Sequence, residues 1–237
     1  MRINCLVEEL HGTEPERILS EQASHHLARV LRVQAGDHIT LFDGKGNLAL
    51  AEVSLPSKKA LQVNVLEYKQ LAKPKAKITL YQALPKPDRW EWVLQKAVEL
   101  GVYALQPMET AHTESVISPK KERRWQQIIQ HAGEQSQAYW MPSLRPVQPI
   151  SEVYAQISRH DLVCIGSLYG GTKKIKDLSF GDVHDVGLII GPEGDFTTSE
   201  VERAVEAGAH PVSFGSQVLR TETAAIFGLS ILKHELS

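Results

Sequence analysis

The spacing of apolar residues changes character near residue 70. Before that point, apolar residues alternate with polar ones in short runs bounded by turn signals. A strand is predicted over residues 2–7, followed by a polar stretch. Leu27, Val30 and Leu31 have helical spacing, which predicts a short helix over residues 22–33. Gly36-Asp37 then turns the chain into a strand over His38–Phe42. Asp43-Gly44-Lys45-Gly46 reads as a second turn, after which Leu48, Leu50 and Val53 resume the alternation. A further strand is predicted over residues 60–66. The whole is a small β-barrel pattern with one helix, closed by the linker-like LAKPKAK at 71–77.

Beyond the linker, strands and helices alternate. Strands are predicted over residues 77–84, 103–108, 162–166, 186–190 and 212–214, and helices over 87–100, 119–138 and 221–236. Gly101 and Gly208 stand where helices should stop. Ile189-Ile190 runs straight into GPEGDF, and Thr197 with Glu200 has the spacing of a capping box opening the next helix. Ala225, Leu229, Leu232 and Leu236 share one side of the last helix. This alternation predicts an α/β domain with a mainly parallel sheet.

Composition narrows the class. The 237 residues carry 42% hydrophobic and 23% charged side chains, ordinary values for a globular protein, and suit one large or two unequal domains. No run approaches the ~18 apolar residues of a membrane span, and the first dozen residues do not read as a signal peptide. Cys5 and Cys164 are the sole cysteines, which argues against a disulfide framework or a Cys-rich zinc site and for a reducing cytoplasm. The formal net charge of −2 excludes bulk positive charge as a means of coating nucleic acid. Basic residues nevertheless cluster at Arg29 and Arg32, at Lys86, Arg89 and Lys96, and at Lys120, Lys121, Arg123 and Arg124. Each cluster reads either as a solvated face or as part of an RNA-binding patch.

Two segments carry candidate chemistry. GPEG at 191–194 follows an apolar strand, and ligands of open α/β sheets bind in loops leaving the carboxyl ends of strands. A ligand-free strand-to-helix turn is the alternative. FGSQVLRTETA at 214–224 repeats the arrangement. Glu222 suits a helix N-terminus electrostatically; Arg220 does not, which implies a separate task or a local pair with Glu222. Rival motifs fail: Gly44 and Gly46 lie in a hairpin, GGTKK at 170–174 lacks P-loop spacing, and the histidines do not form a metal-ligand pattern.

At these segments, together with HHLARVLRVQAGDHITLFDG at 25–44, KPDRWEWVLQKAVELGV at 86–102 and GEQS at 133–136, the chain resembles the SPOUT methyltransferases of the ribosomal small-subunit methyltransferase E type. The resemblance implies a PUA-like RNA-binding β-barrel over residues 1–72. It implies a SPOUT α/β domain over 73–237 with a C-terminal trefoil knot, which binds the cofactor, catalyses and dimerises. S-adenosyl-L-methionine is the implied cofactor, held by loops 162–168, 191–194 and 214–221. The implied cofactor residues are Gly166, Leu168, Gly191, Pro192, Glu193, Gly194, Phe214, Gly215, Val218, Leu219 and Thr221. Arg220 and Glu222 are the implied catalytic residues, and Arg2, Arg29, Arg32 and Arg89 the RNA-binding ones. The implied partners are 16S rRNA within the small ribosomal subunit and a second copy of the chain. No metal or membrane is implied. The reaction is methylation of uridine N3; the alternatives are another RNA target, or a non-catalytic RNA-binding assembly factor. The chain departs from the family pattern at Asp195, where glycine is common, and at Gln217, where arginine is common. It departs again at Gln137–Trp140, where glycine and arginine are usual; Tyr139 or Trp140 is the substitute candidate for stacking on a base.

Overall fold

The structure is a computed structural model and describes residues 3–10, 12, 14–113, 118–168 and 171–237. Arg2, one of the RNA-binding candidates, lies outside the described residues. The chain divides into two compact units. The first comprises Met1–Lys73 with Gln130–Met141, the second Pro74–Ile129 with Pro142–Ser237. The sequence reading places the 130–141 segment in the second domain.

The first unit holds β1 (Ile3–Leu6), β2 (Glu16–Ile18), α1 (Glu21–His25), β3 (His38–Phe42), β4 (Asn47–Leu55) and β5 (Gln62–Gln70). The strands form one sheet in the order β1-β3-β4-β5-β2. The β1–β3 pair is parallel and the others are antiparallel. β4 buries Ala49, Ala51 and Val53 and leaves Leu50 exposed, so the large residues Leu48 and Leu50 do not mark the core face. Small side chains fit the interior of a small barrel-like sheet, and the leucines are left on its outer face.

The predicted helix over 22–33 is also altered. α1 continues as a π-helical turn over His26–Leu31, and Arg32 takes a left-handed conformation at φ 56°. Leu27 is fully buried, whereas Val30 is exposed, because the wider turn breaks the α-helical spacing on which Val30 was placed inside. Arg29 and Arg32 therefore do not share an α-helical face three residues apart.

The 137–141 segment is bound to the β3–β4 hairpin. Gly46 N–H donates to Tyr139 O at 3.0 Å, Met141 N–H to Gly44 O at 2.9 Å, and Trp140 Nε1–H to Ala72 O at 3.1 Å. Gly46 has φ +87°, and a Cβ there would lie 2.4 Å from the Trp140 indole. Tyr139 meets Phe42 edge to face with ring centroids 5.5 Å apart. Both aromatic rings at 139–140 are thus committed to this packing, which argues against their stacking on an RNA base.

The second unit begins with β6 (Lys77–Ala83), α2 (Pro87–Glu99) and β7 (Ala104–Glu109). α3 (Pro119–Ser136) starts in this unit, and its last turns belong to the first. There follow β8 (Ser143–Leu144), β9 (Gln148–Pro149), α4 (Ile150–Ile157), β10 (Leu162–Gly166), β11 (Lys173–Lys174), β12 (Asp185–Ile190), α5 (Thr198–Glu206), β13 (His210–Ser213) and α6 (Thr221–Glu235). The sequence reading did not include β8, β9, β11 or α4, which are short or broken by proline. The sheet order is β11-β13-β10-β12-β6-β7-β8, with β9 also on β7, and every pair is parallel. β6 and β12 are buried almost throughout, as a parallel sheet covered on both faces requires. Tyr81, Ile165 and Ile189 pack with Ile150, Val153, Val201 and Ala204 of α4 and α5. Leu188, which alternates with Ile189, points to α6, where a Cβ on Gly228 would lie 2.9 Å from it. α6 also packs on α2. No helix among the described residues is long and apolar enough to cross a membrane.

Two outcomes follow from this packing. Gly46→Ala brings an L side chain to a positive φ and a Cβ into the Trp140 ring, and should cost about 1–3 kcal/mol in urea unfolding. Burial pushes the thiols of Cys5 and Cys164 up to about 12. The native protein should therefore react with a disulfide thiol reagent at neither cysteine at pH 8, and at both once denatured.

Candidate functional site

The carboxyl ends of β10, β12 and β13 release three loops that surround a cavity of about 300 Å³. Gly166 ends β10, and a Cβ there would meet the Phe214 ring at 2.8 Å. Its missing side chain lets that ring close one wall of the cavity. Gly215, next to Phe214, has φ +125°, a conformation for which glycine alone has no steric penalty.

The loop after β12 is held from within. Asp195 N–H donates to Pro192 O at 3.1 Å, and Asp195 sits at φ 59°. Its Oδ1 accepts from Phe196 N–H at 2.8 Å. An aspartate tolerates the left-handed region better than most residues, so it occupies without disruption a position where glycine is usual. Thr197 and Glu200 form the full capping box that their spacing predicted. Glu200, itself buried, also accepts from Ala111 N–H at 2.8 Å, which ties the loop after β7 to the start of α5. Gly194 does not line the cavity: its α-carbon faces His112, whose ring would lie 3.2 Å from an added Cβ. The other cofactor candidates all line it.

Thr221, the first residue of α6, donates its hydroxyl proton to Gly191 O and accepts from Gln82 Nε2–H at 2.9 Å. Gln82 is fully buried on β6 and also donates to Ala83 O at 2.9 Å. The sequence reading did not include Gln82. Its signal is a lone amide within the apolar run ITLYQAL, where a buried polar side chain needs a structural reason.

Charge at the cavity is arranged around Arg89. Its Nη1 lies 3.2 Å from Glu193 Oε1 and 3.9 Å from Glu222 Oε2. Glu193 Oε1 also accepts from Lys86 N–H at 3.2 Å, at the N-terminus of α2. Arg89, expected from the resemblance to bind RNA, lines this cavity and is held by two carboxylates. Glu222 faces Arg89 and does not line the cavity. The local Arg220–Glu222 pair considered from sequence is not formed. Arg220 lines the cavity, is exposed, and has no ion-pair partner among the described residues. Arg29 and Arg32 are exposed on the first unit, with Arg29 Nη1 3.4 Å from His25 Nε2. Gln217 is exposed at the cavity rim.

Comparison with known proteins matches this geometry. Residues 72–233 fit the model of the RNA methyltransferase domain, and residues 19–66 that of the RNA methyltransferase PUA domain. Ribosomal RNA small subunit methyltransferase E of Bacillus subtilis is 28% identical over 233 residues, spanning 93% of this chain and 91% of the relative. Its counterpart in Synechocystis is 31% identical over 231 residues, spanning 91% and 74%. The crystal structure of a ribosomal RNA small subunit methyltransferase E from Neisseria gonorrhoeae bound to S-adenosyl methionine superposes with a TM-score of 0.92 at 30% identity, covering 99% of this chain and 98% of that one. A Legionella pneumophila protein solved with bound S-adenosylmethionine gives 0.91 at 32% identity, with the same coverage. A PUA-like unit, a parallel α/β unit and these relatives agree: the chain belongs to the RNA methyltransferase family, of the ribosomal RNA small subunit methyltransferase E type.

Proposed function

We propose that this chain methylates N3 of a uridine in 16S rRNA of the small ribosomal subunit, using S-adenosylmethionine, in the cytoplasm and as a homodimer. The observation that carries this reading is the cavity at the carboxyl ends of β10, β12 and β13. It is lined by the loop residues the sequence assigns to the cofactor, Gly194 aside. The cavity fits the group chemically. Gly166 lets the Phe214 ring close one wall, and Glu193 and Asp195 line the cavity with carboxylates, which suits a ligand that carries a sulfonium charge. Loop residues at Gly166–Leu168, Gly191–Glu193 and Phe214–Leu219 would hold it. When bound, it supplies an electrophilic methyl group.

The chain's own contribution is placement and charge. Uridine N3 is protonated at neutral pH, so its nucleophilicity depends on negative charge being tolerated on the uracil. Arg220, without an ion-pair partner among the described residues, is the cation at the cavity rim that would stabilise that charge. Arg89 is committed to Glu193 and Glu222 and fixes the loop after β12 against α2. The base must leave any stack to enter the cavity. The first unit, with Arg29 and Arg32 exposed, is the proposed holder of the surrounding RNA. A knotted path is supported by α6, which enters beside Gly191 and packs on β6 and β12. A second copy is supported by the exposed Phe227 of α6 and by Val218, whose side chain is 75% exposed beside the cavity.

Arg220→Ala should lower single-turnover methylation of small subunits about 100-fold, with the calorimetric Kd for S-adenosylmethionine unchanged. Loss of binding instead would make Arg220 a cofactor residue, and an unchanged rate would remove it from the chemistry. The product is read by mass mapping of 16S rRNA nucleosides. Gly166→Val puts a branched side chain into the Phe214 ring and should abolish calorimetric binding of S-adenosylmethionine. Circular dichroism reports whether the variant stays folded.

A further inference from the structure

The opposite, amino-terminal edge of the second unit's sheet holds another cavity, of about 370 Å³, which the methyl-transfer reading does not use. The side chains that decide its character are Tyr81, Arg145, Arg159, His160 and Asp185. Tyr81 OH lies 2.8 Å from His160 Nε2, and His160 Nδ1 lies 2.5 Å from Asp185 Oδ1. The Asp185 carboxylate is thereby taken up by the imidazole. Asp161, the residue after His160, accepts from His184 and Asp185 N–H at 2.9 and 2.8 Å and is turned to the backbone. These backbone bonds hold its carboxyl below the usual range.

Among the described residues, the two arginine side chains have no carboxylate partner. Arg145 is anchored by its own N–H to Leu105 O at 2.9 Å; its Nη1 lies 3.4 Å from the neutral Gln156 Oε1, and its side chain also hydrogen-bonds the Tyr81 phenol. Arg159 donates its backbone N–H to Gln156 O at 3.0 Å, but its guanidinium has no hydrogen-bond or ion-pair partner among the described residues, and it acts on the Tyr81 phenol as a nearby positive charge. Burial first, and Asp185 further, hold the Tyr81 pKa above its ordinary value, against the pull of Arg145 and Arg159; the phenol therefore stays a proton donor at neutral pH. The cavity thus presents two guanidinium groups, a phenol O–H and an imidazole, with its carboxylate already satisfied.

We infer that this cavity is an oxyanion site for a phosphate group, held between Arg145 and Arg159 with Tyr81 and His160 at its floor. Planar guanidinium groups bind phosphate oxygens in pairs, and two guanidinium charges against the single Asp185 carboxylate leave the cavity a positive surplus that suits a phosphate oxyanion. The phosphate belongs either to an RNA backbone or to a free phosphomonoester, which share this chemistry. The inference stands apart from the methyl-transfer reading, because it uses no residue of the cofactor cavity.

The test follows the His160 ring signals of the full-length protein by NMR during titration with inorganic phosphate. A parallel titration uses a single-stranded RNA oligonucleotide without terminal phosphates. Saturable shifts with inorganic phosphate identify a phosphomonoester site, and shifts with the oligonucleotide alone identify a backbone site; both support the inference. Arg159→Gln, which removes a side chain with no partner to lose, should weaken the effective ligand about tenfold at unchanged Tm. Tyr81→Phe should weaken it as well while keeping the ring. Failure of both ligands to move the His160 signals, or binding to Arg159→Gln as tight as to the parent, would overturn the site.

Discussion

The cavity at the carboxyl ends of β10, β12 and β13 depends on one hydrogen-bonded joint. Gln82 from β6, the Gly191 carbonyl from the loop after β12 and Thr221 from the start of α6 are joined by hydrogen bonds, with the Gln82 and Thr221 side chains buried. Buried polar groups are costly unless paired, so the three segments are stable only in this mutual position. The joint sets where α6 begins, and Arg220 immediately precedes it. Around it the packing leaves no slack: Gly166 admits the Phe214 ring, and Gly228 admits Leu188. Thr221 is therefore better described as a structural tie whose neighbours face the cavity than as a free cofactor contact.

The departures from the family pattern acquire a physical reading. Asp195 and Gln137 both occupy left-handed backbone, at φ 59° each, where glycine is the usual solution. Asp195 is helped by its own side chain, which accepts from Phe196 N–H. Gln137 ends α3, with Ala138 N–H closing back on Gly133 O at 3.0 Å in the manner of a Schellman cap. These substitutions keep the chain path at some cost in backbone strain. Tyr139 and Trp140, which follow, are spent on the β3–β4 hairpin of the same unit. The replacement of arginine by Gln217 is different, because an exposed rim position has no packing to preserve. It removes positive charge from the cavity mouth and leaves Arg220 as the unpaired cation there among the described residues.

Charge is thus distributed to the two ends of one sheet. At the carboxyl end, Arg89 is neutralised by Glu193 and Glu222, and Arg220 is left available. At the amino end, Asp185 is hydrogen-bonded to His160, and the guanidinium groups of Arg145 and Arg159 have no carboxylate partner among the described residues. A net charge of −2 hides both concentrations. Pairing decides which charges can act on a ligand, and composition alone does not report it.

The sequence by itself determined the elements that local physics controls. The capping box at Thr197, the strand leading into GPEG, the stop of α2 before Gly101 and the buried stripe of α6 need only neighbouring residues. The loops that line the cavity at the strand ends were legible too, because strand-end loops in parallel sheets are where ligands bind. What depends on residues far apart in the chain was decided by tertiary structure. Val30 is outside because a π-helical turn shifts its direction, and Leu50 is outside because alanines fill the core face of β4. Arg89 belongs to the cavity because Glu193, more than a hundred residues later, folds onto it. Gln82 ties the site together through partners 109 and 139 residues away. A linear pattern records how each residue prefers its neighbours to be arranged; which distant charge or carbonyl a side chain finally meets is settled only when the sheet is assembled.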